Sequence, residues 1–266
     1  MIREITLGQY YPANSIIHKL DARAKLLGTL IYIICLFLAD SVLAYAISVA
    51  TLALLIIISR VPFMHMMKGM KAVLIVLIIS VLFNLFLTQG DELFHIWRFT
   101  VTKQGVRQAC FMGIRLTALI LGASLMTFTT TPNQLTDGIE SGLGFLKVIK
   151  IPVHEIAMMM SIALRFIPIL TEELDKIIKA QTARGADLES GNLIKKAKAM
   201  VPLLVPLFVS AFRRATDLAS AMEARCYHGG NGRTRMHPLK FKRRDYIALA
   251  LIVIYLAGNI LIKIFM

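Results

Sequence analysis

The stretch "AVLIVLIISVLFNLFLTQG", residues 72–90, carries no charged side chain over 19 positions. A bilayer core is crossed by roughly 20 apolar residues in a helix. Three other runs are equally free of charge: 41–59, 116–136 and 246–262. A shorter one, 26–39, has 14 residues and is bounded by Lys25 and Asp40, which can snorkel at its ends. The pattern predicts an all-α integral membrane protein with about five transmembrane helices. The composition agrees, because 57% of the 266 residues are hydrophobic, whereas soluble domains hold about 45–50%.

The net charge of +14 would suggest nucleic acid in a soluble protein, but its distribution points to the membrane instead. Residues 1–25 hold 4 Lys/Arg, 60–71 hold 3 and 132–245 hold 18, so these three segments contain 25 of the 30. They are separated by pairs of apolar runs, and a pair returns the chain to the side it left. Lys and Arg accumulate on the cytoplasmic side. The N-terminus, the 60–71 loop and the 132–245 segment are therefore expected in the cytoplasm. The 91–106 loop is expected outside, yet Arg98, Lys103 and Arg107 lie in or beside it and Arg115 lies within the next span. Arg115 reads either as a polar functional site or as a side chain that snorkels or pairs within the bundle.

The first 25 residues are too polar for a cleaved signal, and the chain is expected to begin at Met1. Cys35, Cys110 and Cys226 are odd in number and two lie in apolar runs, which argues against a disulfide framework. Six scattered histidines offer no metal-ligand spacing. No phosphate-binding loop and no nucleophile elbow is present. The reading is of a non-enzyme with no cofactor and no metal site.

The organisation follows: four spans within 1–131, a cytoplasmic segment at 132–245, and a final span within 246–266. The middle segment is too charged to span and too apolar to be a solvated loop. It predicts three amphipathic helices. The first begins after Pro132 and runs through Leu135, Ile139, Leu143, Leu146 and Ile149. The second covers about Val153 to Arg184, with a kink at Pro168. The third covers about Leu193 to Cys226. "KFKRRD" (240–245) anchors the last span.

The second and third helices end alike, in "AQTARG" (180–185) and "AMEARC" (221–226). Ile177, Ala180 and Arg184 recur as Leu218, Ala221 and Arg225, 41 positions later. Ala183 and Ala224 add a small residue before each arginine. Small residues on one helix face permit close crossing. An arginine beyond such a face can act as a peg, since its planar fork of donors suits carboxylates. The plainer alternative is a solvated arginine opposite the helix dipole.

Taken with "HKLDARAKLL" (18–27) and "LRFIPILTEELDKIIKAQTARG" (164–185), these endings resemble the transmembrane T subunits of energy-coupling-factor (ECF) transporters over essentially the whole chain. The family is a bacterial cell-membrane one. The resemblance implies two cytoplasmic ABC-type ATPase partners, a membrane-embedded S component that captures a vitamin or other micronutrient, and no nucleic acid. It implies that Ala183, Arg184 and Gly185 meet one ATPase and Ala224, Arg225 and Cys226 the other. Cys226 stands where the family commonly has glycine. Leu143, Met158, Met159, Leu204 and Leu207 would belong to the platform for the S component. Asp21, Arg23 and Lys25 match an N-terminal motif expected to be structural. A self-contained secondary transporter or channel is the competing reading, but such proteins usually carry broken mid-membrane helices in repeated halves. A membrane-embedded enzyme would need clustered acids, histidines or cysteines at membrane depth.

Overall fold

The computed structural model describes residues 10–96, 99–144, 152–186, 192–229 and 239–265. Eight helices and one hairpin are seen among them: α1 (Ala22–Leu38), α2 (Val42–Ser59), α3 (Phe63–Leu87), β1 (Glu92–Ile96), β2 (Phe99–Thr102), α4 (Lys103–Thr129), α5 (Pro132–Gly142), α6 (Val153–Ala183), α7 (Leu193–Ala224) and α8 (Arg243–Phe265). The chain divides into two compact units, one of residues 1–142 with 239–266 and the other of 143–238.

Short polar residues start α1, α2 and α4. Asp21 Oδ1 accepts from Arg23 N–H, Ser41 Oγ from Ala44 N–H, and Thr102 Oγ1 from Gly105 N–H. Each satisfies a donor left orphaned in a first turn. At α5, Thr131 and Gln134 exchange backbone and side-chain bonds in a reciprocal capping box. The core is formed by Tyr32 and Leu36 of α1, Leu52 of α2, Met66 and Met70 of α3, and Ala118, Leu121, Leu125 and Phe128 of α4, all buried. Inside it, the Tyr255 hydroxyl of α8 meets Ser48 Oγ at 2.8 Å, and Tyr32 donates to Ser48 O. The hydroxyls of Tyr32 and Tyr255 thus both have partners, as low-dielectric surroundings require. α5 lies against α1 because Gly138 leaves room: a Cβ there would come within 2.9 Å of the Ala22 Cβ.

The described 91–102 segment is not a plain loop. Glu92–Ile96 pairs antiparallel with Phe99–Thr102. The β-branched and aromatic residues of "FTVT" and "ELFHI" favour the pleated backbone, a signal that the apolar-run analysis passed over. α4 also begins earlier than the charge-free run, at Lys103. Arg107 and Arg115 are therefore both helical.

In the second unit, α6 and α7 have 31 and 32 residues and contact each other. α6 continues through Pro168 and α7 through Pro202 and Pro206. Five described helices are long and apolar enough to cross a membrane, and their membership differs from the expectation: α2, α4, α8, and stretches of α6 and α7. α1 falls short at 17 residues and the apolar part of α3 is Val73–Leu87. α6 and α7 qualify because the first half of one and the middle of the other are apolar. The first amphipathic helix is shorter than expected. Regular α-helix ends at Gly142, α5 belongs to the first unit, and Leu146 and Ile149 lie outside the described residues.

Candidate coupling site and N-terminal clasp

The two Ala-Arg endings close with the same pair of backbone hydrogen bonds. At the end of α6, Gly185 N–H donates to Thr182 O at 3.0 Å and Ala186 N–H to Gln181 O at 3.0 Å. Gly185 has φ +87°. At the end of α7, Cys226 N–H donates to Glu223 O at 2.9 Å and Tyr227 N–H to Met222 O at 3.0 Å, with Cys226 at φ +55°. Both are Schellman caps, in which a left-handed residue lets the chain satisfy the last carbonyls. Cysteine therefore adopts the conformation that glycine takes at the first ending, at a cost of roughly 1–2 kcal/mol for a side chain in that region.

Arg184 and Arg225 sit directly before these left-handed residues and are exposed. Among the described residues neither guanidinium pairs with a carboxylate. Ala183 and Ala224 are exposed as well, and so are Ala180 and Ala221. The small-residue face is thus not the face on which α6 and α7 meet, contrary to the expectation of close crossing there. Alanine offers too little apolar area to decide which face is buried. A contact between the helices is instead made by Arg214 Nη2 and Glu173 Oε2 at 3.3 Å. These two residues are also 41 positions apart, and each lies 11 residues before its arginine. At 1.5 Å per residue, both arginines stand about 16 Å along their helices from that contact. The pair of helices is therefore two equal arms.

The apolar surfaces of α6 and α7 are left open. Met159 is exposed and Met158 half-buried; Leu204 is exposed and Leu207 half-buried. Leu143 is exposed at the start of the second unit. Val205, Phe208, Val209 and Phe212, within the stretch 201–212 expected to belong to the platform, are at least as exposed as Leu204. The unbroken apolar run 201–212 was the available signal.

The motif around Asp21 is a clasp at one end of the first unit. Asp21 caps α1, and its backbone N–H donates to Asp245 Oδ1 at 2.8 Å. Asp245, buried, also accepts from Lys242 N–H at 2.7 Å. Arg23 Nη2 donates to Leu239 O at 3.0 Å, and its guanidinium lies 4.7 Å from the Phe241 ring centroid. Lys25 Nζ donates to Thr129 O at 2.7 Å and His18 O at 3.3 Å. A cation is thereby seated on the C-terminal carbonyls of α4, where the helix dipole favours it. Asp245 was missed in the sequence because Asp21, its partner in the clasp, is 224 residues away. His18 completes the clasp, with Nε2 on Tyr11 O and Nδ1 on Ser15 Oγ.

Arg115 is held within the bundle. Its Nη2 donates to Ala39 O at 3.0 Å, and its guanidinium lies between the rings of Phe37 and Tyr45 at 5.9 and 5.6 Å.

These features define a multi-pass helical membrane protein with a paired-helix unit ending in two matched arginine caps. Comparison with known proteins identifies the group. Residues 13–238 match the CbiQ family, described as cobalt transport protein. The energy-coupling factor transporter transmembrane protein EcfT of Clostridium kluyveri is 53% identical, over 99% of this chain and 98% of its own length. Proteins of the same name from Brevibacillus brevis and Bacillus subtilis are 50% and 44% identical, over 96% and 97% of this chain and the same shares of their own. The chain belongs to this CbiQ/EcfT family of transporter transmembrane proteins.

Proposed function

We propose that the chain is the non-enzymatic coupling subunit of an ECF-type importer. In this reading it joins two cytoplasmic ABC-type ATPases to an S component and transmits their ATP-driven motion for uptake of a vitamin or another micronutrient. The ATPases carry out the hydrolysis. The observation that carries the reading is the repeated arginine cap: two exposed guanidiniums on caps of the same type, each about 16 Å from a shared contact. A single partner would need one such peg, and two equal ATPases need two. The Schellman cap turns the chain away immediately after the arginine, which leaves the side chain protruding at the helix tip. The open apolar faces of α6 and α7 are the proposed platform for the S component. The basic residues concentrated in the N-terminal segment and in residues 132–245 support a cytoplasmic side for both.

The test is charge reversal. Arg184→Glu and Arg225→Glu should each reduce co-purification of the ATPases, and the double variant should abolish ATP-driven vitamin uptake at normal membrane expression. Loss of one charge-assisted hydrogen bond costs about 1.5–3 kcal/mol, and reversal beside a carboxylate costs more. Full uptake by the double variant would show both arginines to be ordinary solvated helix ends.

A further inference from the structure

Two of the arginines that break the charge pattern of the outer loop, Arg107 and Arg115, converge on one cleft. Arg107, Gln108, Phe111 and Arg115 follow one stripe of α4, at the end of the first unit remote from the clasp. They face Ala39 and Asp40 after α1, Tyr45 of α2 and Asn84 of α3 around a cavity of about 420 Å³. Tyr45 is only 2% exposed, and its hydroxyl has no hydrogen-bond partner among the described residues. Arg115 Nε is buried and equally unpartnered there, although Nη2 is held by Ala39 O. Arg107 lies 5.3 Å from the Phe111 ring centroid. Among the described residues no carboxylate pairs with either arginine. Asp40, at the rim, is paired with Lys263 at 3.3 Å, so it leaves both guanidinium charges uncompensated.

Arg107 is exposed, but the half-buried Arg115 and the buried, unpartnered Tyr45 hydroxyl are better satisfied when an anion joins them. The donors are of a kind that selects its chemistry. Guanidinium groups present planar, always-charged forks that match phosphate oxygens, and a tyrosine hydroxyl adds a directed donor. We propose that this cleft binds a phosphate-bearing anion, with Arg107 and Arg115 supplying charge and the Tyr45 hydroxyl and Arg115 Nε supplying directed hydrogen bonds. The phosphate can come from a phospholipid headgroup reaching the cleft along the bundle, or from inorganic phosphate in the water.

The test uses full-length protein purified in a maltoside detergent, which carries no phosphate. Phosphatidylglycerol, inorganic phosphate or chloride at matched ionic strength is added, and adduct mass and melting temperature are read. The lipid is expected to be retained and to raise the melting temperature. Arg107→Gln and Tyr45→Phe should each weaken retention by about tenfold or more, the ratio produced by losing one charge-assisted hydrogen bond. Both variants leave the Arg115–Ala39 bond in place, so misfolding does not confuse the result. Arg115→Lys keeps the charge but removes Nε, and should weaken retention similarly. A response to inorganic phosphate alone, with the same sensitivity to the variants, supports the cleft and assigns the free ion as its ligand. Retention of neither probe beyond chloride, or variants that bind as tightly as the unaltered protein, overturns the proposal.

Discussion

Cys226 shows how one side chain can depart from a pattern without changing the backbone. It occupies the left-handed region at φ +55°, where Gly185 does the same at the first cap. The hydrogen bonds around both residues force that conformation, and cysteine takes it with some strain. Cys226→Gly should therefore stabilise the end of α7 by about 1 kcal/mol, since the penalty for a side chain there exceeds glycine's extra unfolded-state entropy. A rise in melting temperature with coupling unchanged is the expected result. A fall would mean that the left-handed cap is not formed. At the same scale, Lys25→Met should destabilise the protein by about 1–3 kcal/mol, because it leaves the Thr129 carbonyl buried and unpaired. Thermal unfolding of the purified variant measures this, and an unchanged melting temperature would remove Lys25 from the clasp.

The segment 10–21 before α1 is an element without regular structure, yet His18 ties it down. Burial pushes its pKa below the ordinary 6.5. The unfolded chain then binds a proton at a higher pH than the folded one. The stability due to His18 is fully present above about 6.5 and is lost as pH falls toward the lower folded value. Melting temperature should drop as pH falls below about 6.5, and His18→Gln should flatten that part of the profile. An identical profile for the variant would count against a buried neutral imidazole. α6 and α7 are elements of another kind. Their Glu173–Arg214 contact is partly exposed, so as a surface pair it contributes no more than about 1 kcal/mol. Most of their apolar side is open.

At the scale of the whole molecule, that open apolar surface becomes a prediction. Phe208 is exposed, so Phe208→Glu should alter the stability of the chain alone by no more than about 0.5 kcal/mol. It should nevertheless weaken S-component association while both ATPases still co-purify, because a charge would be pressed into an apolar contact. Leu207→Glu should weaken the same association, with a larger loss of stability because Leu207 is half-buried. Normal assembly and uptake in both variants would remove these residues from the platform. Topology is tested with single cysteines replacing Asn192 and Asp91, in a chain lacking the three native cysteines. In intact cells Asn192→Cys should resist an impermeant thiol reagent and Asp91→Cys should react. Labelling at 192 from outside would invert the orientation. Gly232, a further probe for the same side, lies outside the described residues.

Chain-local signals determined a great deal of this protein. Charge-free runs located α2, α3, α4 and α8, because the bilayer accepts only apolar surface with internally satisfied backbone. The bounds of α6 and α7 were legible from periodicity and from Gly185, and the repeat of the arginine caps was visible as a 41-residue offset. Each of these is written within a few turns of one helix. Tertiary structure decided the rest. It seated Lys25 on α4, brought Asp245 to Asp21 across 224 residues, left the alanines exposed while Glu173 met Arg214, and gathered Arg107, Arg115 and Tyr45 around one cleft. Such contacts depend on which helix faces approach in space. A single sequence encodes them only through the sum of packing, so no local pattern could have announced them.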